Sequence, residues 1–209
     1  MNKWSVEELL QHTGSPNPLP GGGGVCGVIG ALAVQLNEMG VRISDPKEEQ
    51  EWTKLMLRRL DAVRDELMTL AEADGYSFQA VLEARRRPKD DPERGEAIER
   101  GYEKAIEIPE KMLDNLLSLL EWQEELAAGT KASVFSDVAT AAELAYTCVE
   151  AVLFNVWMNV AALKSPASRE THLQRASKLW RRAGALRETA RGRVAEKWPH
   201  FAEWKEENR

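Results

Sequence analysis

Two cysteines and three histidines among 209 residues leave little for metal or redox chemistry to work with. His12, His172 and His200 are scattered, no cysteine pair has ligand spacing and no Glu-x-x-His occurs, so neither a metal nor a metal cofactor is expected. Cys26 and Cys148 each sit in an apolar segment and read as buried, reduced thiols, not as a disulfide framework. Cations are in deficit as well. Lys+Arg 28 against Asp+Glu 34 gives a formal charge of −6, which excludes a duplex nucleic-acid partner, because such a binder needs surplus cations to displace counterions. The longest uncharged apolar run, 21–37, falls short of 18 residues, opens on four glycines and contains Gln35, which argues against a membrane span. Glu7 and Glu8 stand where a secretory signal would carry its apolar stretch. These absences point to a soluble, cytoplasmic protein. Sustained period-two alternation is missing too. Without strands there is no strand–turn–helix elbow for a nucleophilic serine or cysteine.

What the chain does have is 43% hydrophobic residues set at helical spacing, enough for one core over 1–209. A short amphipathic helix covers 4–12 and ends at Gly14, before the run Pro16-Asn17-Pro18-Leu19-Pro20, which must be extended. The next helix, 25–43, is apolar and small on nearly every side (Gly27, Gly30, Ala31, Ala33), as suits the centre of a bundle. Asp45 and Pro46 read as the N-cap and first residue of a third helix running to about 87, with a bend at Gly75. A fourth covers 92–128, kinked or broken near Pro109, and a fifth starts at Ser136 or Asp137 and runs to 163. Ser165-Pro166 opens a last amphipathic helix to about 198. The expected fold is an all-α, single-domain bundle of about five or six helices around a buried small-residue helix.

Chemistry then rests on carboxylates, amides and bare backbone. Gly21, Gly22, Gly23 and Gly24 are costly in chain entropy, and their N–H groups at a helix start make a cradle for an anionic or carbonyl oxygen. A tight backbone crossing accounts for them equally well. The Gly-Lys-Ser/Thr ending of a nucleotide loop is missing. Asn155 and Asn159 lie one turn apart in the most apolar part of their helix, either bonded to a neighbouring helix or offered to a heterocycle with alternating donors and acceptors. Asp137 shares the azimuth of Asn155, but eighteen residues at 1.5 Å each put them about 27 Å apart. One small ligand touches both only if an antiparallel second copy contributes one of them; otherwise Asp137 simply faces its helix dipole. Asp74 follows Leu67, Leu70 and Ala71 and precedes Tyr76 and Phe78. It is either a solvent-facing residue at the Gly75 bend or a carboxylate against an apolar wall, with a raised pKa suited to acid–base work. Arg85, Arg86, Arg87 and Lys89 read as a solvated turn, and the seven tryptophans as core or dimer seam.

These elements stand in a particular order: Pro18-Leu19-Pro20-Gly21-Gly22-Gly23-Gly24 before a small-residue helix, Ala73-Asp74 with Phe78 four on, Arg87-Pro88-Lys89-Asp90-Asp91-Pro92-Glu93, Ile108-Pro109, Ser136-Asp137, and Phe154-Asn155-Val156 with Asn159-Val160. In that order and spacing the chain resembles the formiminotetrahydrofolate cyclodeaminases and methenyltetrahydrofolate cyclohydrolases, small, metal-free, all-helical folate enzymes. At Gly24 the cyclodeaminases usually carry Ser, and the chain is similar there to the serine-cycle cyclohydrolases. It departs from the family after the glycine-started helix. Ser44 stands for the Thr of the family's Asn-Leu-Thr, but the Gly-Lys that should follow is replaced by Asp45-Pro46-Lys47-Glu48-Glu49.

The resemblance implies hydrolysis of 5,10-methenyltetrahydrofolate to 10-formyltetrahydrofolate without a cofactor. One of Asp74 and Asp137 would move protons and the other would recognise the pterin's amino-pyrimidinone edge. Gly21 to Gly24 with Ser44, Ser136, Asn155 and Asn159 would bind substrate, and a homodimer would share the sites. Ammonia release from formiminotetrahydrofolate, or a folate-binding or interaction dimer without turnover, are the alternative expectations.

Overall fold

Each helix begins where its capping chemistry allows. In the computed structural model, which describes residues 3–16, 19–198 and 203, Ser5 and Glu8 form a reciprocal capping box that starts α1 (Val6–Thr13). Asn17 and Pro18 of the proline run, and His200, lie outside the described residues. Gly21 is the N-cap of α2 (Gly22–Ser44), so three of the four glycines are the helix's first turn. Then follow α3 (Glu51–Arg86), α4 (Arg94–Glu121), the short α5 (Gln123–Gly129), a 3-10 turn at Ala132–Val134, α6 (Phe135–Ala162) and α7 (Pro166–Lys197). Ser165 caps α7 by accepting the Ser168 N–H, with Pro166 in the first turn. The fold is all-α, as the 3.6-residue period requires.

Several boundaries differ from the sequence expectation: α2 starts at Gly22, ahead of Val25, and the one helix expected over 92–128 is two, α4 ending at Glu121 and α5 starting at Gln123. Asp45 ends α2 instead of starting α3. Its carboxylate accepts the Gln50 N–H at 3.0 Å, closing a turn, and α3 begins only at Glu51. α6 starts at Phe135, one residue early, because the 3-10 turn feeds directly into it. α4 runs through Pro109 without a break. Proline has no N–H for the carbonyl four residues back, Ala105, and the Asn159 side chain on α6 donates to that carbonyl instead, at 2.9 Å.

Helices α2, α3, α4 and α6 form a closed ring: α2 packs on α3 and α6, and α4 packs on the same two from the opposite side. Glycines let α2 sit close. A Cβ at Gly27 would fall 2.7 Å from the Ala71 Cβ, and one at Gly30 would fall 2.9 Å from Leu116. The contacts Gly30–Leu67, Gly27–Ala71 and Gly23–Asp74 run α2 antiparallel to α3; Gly40–Val138 and the nearness of Cys26 to Cys148 run it antiparallel to α6. The interior is Leu, Val, Met and Ala, including Met56, Leu60, Leu67, Leu116, Leu119 and Val152.

By length and hydropathy alone α2 and the stretch Ala132–Ala162 are long and apolar enough to cross a bilayer, and 61% and 44% of their most apolar windows are buried in the bundle. What they leave outside is an apolar stripe. α7 lies across α4 and α6 and buries only Ala176 and Ala183. Charge holds it down: Arg175 to Glu110 and Asp114, Arg182 to Glu121, Arg187 and Arg191 to Glu143.

Candidate functional site

One face of α3 reads Leu67, Ala71, Asp74, Phe78, one residue per turn. The first three meet Gly30, Gly27 and Gly23 of α2. Phe78 would meet the next turn, but α2 has already ended, and this phenylalanine is 44% exposed. On α6 Val138 packs against Gly40 of α2, and seventeen residues further along each antiparallel helix Asn155 comes level with Gly23 at the start of α2. Beyond this point α3 runs on for a dozen residues, about 18 Å, and α6 for about 10 Å. The N-terminus of α2, called the mouth below, is therefore flanked by two helices that run past it, α3 with Asp74 and Phe78 and α6 with Asn155 at the same level.

The glycines serve close approach, not turn geometry: no described glycine has a positive φ, and Gly21 is extended at φ −81°, ψ −175°. A Cβ on Gly23 would lie 2.6 Å from Cγ and both oxygens of Asp74, so only glycine lets that carboxyl lodge against the helix start. Gly22 has open space on its side-chain face. Burial pushes the Asp74 pKa above the usual carboxylate range, partly offset by the Gly24 N–H, which it accepts. The N–H groups of Gly22 and Gly23 find no acceptor among the described residues and point along the dipole into the mouth. The result is a carboxyl poised to hold or release a proton, beside two free donors at a helix N-terminus.

The ten candidate residues fall into three places. Gly21 to Gly24, Asp74 and Asn155 gather at the mouth; Asn155 makes no hydrogen bond with a described residue. Asn159 lies a turn further along, its Nδ2 engaged by the Ala105 carbonyl. Ser44, Ser136 and Asp137 are at the opposite end of α2. The Gly23–Asp74 and Gly40–Val138 contacts bracket seventeen residues of that helix, about 25 Å, so within one copy Asp137 does not reach Asp74. Ser44 Oγ donates to the Gly40 carbonyl and accepts the Lys131 N–H, tying α2 to the turn before α6. Among the described residues no three of His, Cys, Asp and Glu gather as metal ligands.

Two features escaped sequence reasoning. A cavity of about 400 Å³ adjoins the mouth behind Pro20, lined by Trp4, His12, Leu19, Ala71, Gly75 and Tyr76, where the Trp4 and His12 rings stack at 4.2 Å. At the far end Glu38 is buried on α2 between Arg64 and Arg42, and burial holds its pKa above the ordinary value. An acid inside an otherwise apolar helix was the available signal for Glu38. The cavity had none, since its walls come from three separate segments.

Residues 5–178 match the family described as formiminotransferase-cyclodeaminase. The chain is 29% identical over 187 residues to mouse formimidoyltransferase-cyclodeaminase, covering 86% of this chain and 35% of that protein; it thus spans about a third of that relative. It is 27% identical over 192 residues to the methenyltetrahydrofolate cyclohydrolase of Methylorubrum extorquens, covering 88% of this chain and 92% of that one. Its fold is similar to that of the formiminotetrahydrofolate cyclodeaminase of Thermotoga maritima, with a TM-score of 0.80 at 22% identity over 96% and 98% of the two chains.

Proposed function

The chain belongs to the formiminotransferase-cyclodeaminase family, folate-dependent cyclodeaminases and cyclohydrolases, and from that premise we propose that it hydrolyses 5,10-methenyltetrahydrofolate to 10-formyltetrahydrofolate. The observation that carries this reading is Asp74, a carboxyl with a raised pKa held against free N–H donors at an open helix end. The substrate's bridge between N5 and N10 is an amidinium, so its carbon is already electrophilic. It needs water, a base and an acid. Asp74 takes one proton from water as the C–O bond forms and returns it to N5 as the C–N5 bond breaks, and the proton left on the new hydroxyl is released to solvent as the formyl C=O forms. The Gly22 and Gly23 N–H groups hold the oxygen of the tetrahedral intermediate. Asn155 offers donor and acceptor to the pterin edge. Asn159 supports α4 instead, because its N–H already serves Ala105.

Ser44, Ser136 and Asp137 enter this scheme through a second copy. The outward stripe of α2 and α6, with Leu32, Met39, Phe154 and Met158 all exposed, suits a homodimer whose two-fold lies in the contact plane and crosses the helices. That operation exchanges the ends of α2 and brings Asp137 of the second copy toward the mouth, where it reads the amino-pyrimidinone.

The same parts serve ammonia release from formiminotetrahydrofolate, the substrate in the name of the Thermotoga cyclodeaminase. Loss of methenyltetrahydrofolate absorbance measures the first reaction and ammonia release the second. Asp74→Asn is expected to lower turnover by about 10²-fold or more. A folded wild-type chain that accelerates neither reaction over buffer removes the enzymatic reading.

A further inference from the structure

The basic turn after α3 consumes two of its cations internally. Arg87 is tied to Asp91 and Glu93, and Arg94 donates to the carbonyls of Arg85 and Arg87. Arg85 is not consumed. It makes no ion pair with a described residue, and its guanidinium carbon lies 5.4 Å from the ring centroid of Tyr102 on α4. Such a contact steadies a guanidinium without using up its N–H donors. The face of α3 that carries Asp74 and Phe78 continues through Val81 to Arg85, whose direction from the helix axis is within about 20° of that of Asp74. Phe78 and Arg85 stand about 6 Å and about 16 Å beyond Asp74 along the axis. Helical side chains lean toward the N-terminus, so the guanidinium comes back toward the mouth. Tyr102 fixes its level: a Cβ on the adjoining Gly101 would lie 3.4 Å from Val81, which is about 10 Å past Asp74.

We propose that Phe78 and Arg85 are the track for the arm of the substrate that leaves N10, a p-aminobenzoyl ring joined through an amide to glutamate. Phe78, 44% exposed just past the end of α2, packs against the p-aminobenzoyl ring, and Arg85 forms a bidentate ion pair with a carboxylate of the glutamate. The placement rests on the reaction proposed above, because it takes the N5–N10 bridge to lie at Asp74. From there the ring spans the first turn of α3 and the amide carries the glutamate to the level of Tyr102. An arm with two negative charges approaching a chain of formal charge −6 needs a local cation. The acids on the neighbouring turns of α4 do not compete for it: Glu99 accepts the N–H groups of Lys164 and Ser165, and Glu103 holds Ser168 and His172.

Hydrolysis is compared for 5,10-methenyltetrahydrofolate and for its analogue with methylamine in place of glutamate. Arg85→Gln is expected to raise KM for the first about tenfold or more with kcat held, and the gap from wild type to close for the second. Arg85→Lys, which keeps the charge but not the planar fork, should fall between them. Phe78→Ala is expected to raise KM for both compounds. Arg85→Gln that loses equally with both, or with neither, overturns the proposal. Binding of p-aminobenzoylglutamate to the full chain, followed by NMR titration, needs no turnover. It is expected to weaken about tenfold in Arg85→Gln and to stay unchanged in Arg86→Gln, which points about 100° away around the helix. No binding to wild type, or equal binding to wild type and Arg85→Gln, overturns the track. A wild-type chain that binds the fragment through Arg85 yet hydrolyses nothing overturns the reaction and leaves the track standing.

Discussion

Asp74 is where stability and activity pull apart. Its pKa is raised by burial, so the folded chain binds a proton there at pH values where the unfolded chain has released it. Stability therefore falls as pH rises from the ordinary Asp pKa, near 4, through the folded value. Asp74→Asn removes the buried charge. It is expected to raise the urea midpoint at pH 8 and leave it unchanged well below pH 4, while lowering turnover by about 10²-fold or more. A variant less stable than wild type at pH 8 would mean the carboxylate is favourably bound and not merely buried. Gly23→Ala is the converse probe. Its Cβ would fall 2.6 Å from the carboxyl, so Asp74 must swing away, and turnover is expected to drop about 10²-fold with the helical circular dichroism intact. Asp74 was legible in the sequence as an acid among apolar neighbours. What faced it was not, because Gly23 lies on another helix.

At the scale of helices, α4 keeps a proline in mid-course only because α6 supplies the missing donor. Asn159→Leu leaves the buried Ala105 carbonyl unpaired and is expected to cost about 1–3 kcal/mol in chemical denaturation. Adding Pro109→Ala, which restores a backbone N–H, should recover most of that loss. Equal stability of Asn159→Leu and wild type would show that water fills the gap. The sequence presented the proline and the amide as separate oddities, and only the α4–α6 contact makes them one bond.

α7 depends on charge in a different way. Burial alone would lower the His172 pKa, but hydrogen bonds to Glu110 at 2.8 Å and Glu103 at 3.2 Å more than offset it, and the value lies above the ordinary one. Ser168 also bonds Glu103, and Arg175 shares Glu110. A raised histidine stabilises fully below its unfolded pKa, about 6.5, and the contribution is lost as pH rises through the folded value. Hydrogen exchange in α7, corrected for intrinsic rates, is expected to quicken over that window in wild type and not in His172→Gln.

For the whole molecule the question is whether the two ends of α2 ever meet. Asp74 and Asp137 lie about 25 Å apart in one copy, and the apolar stripe offers the surface through which a second copy would join them. Leu32→Glu with Phe154→Glu is expected to give a folded monomer by sedimentation, with turnover lost. Mixing inactive Asp74→Asn and Asp137→Asn chains is a stricter check. Random reassembly leaves one intact site in each mixed dimer, which predicts recovery of about a quarter of wild-type turnover. No recovery from chains shown to exchange would confine the site to one copy.

The sequence by itself determined the class of fold and the order of its helices, because apolar period and capping residues act over a few positions. It also marked the glycine turn, Asp74 and Asn155 as out of place among their neighbours. It did not determine that Asp45 closes a helix instead of opening one, or that Asn159 answers Pro109. Nor did it show that Cys26 meets Cys148 and that Ser44, Ser136 and Asp137 stand a helix length from the mouth. Those are matters of register between helices remote in the chain. That register is set by where glycine lets two backbones approach, which no local pattern records.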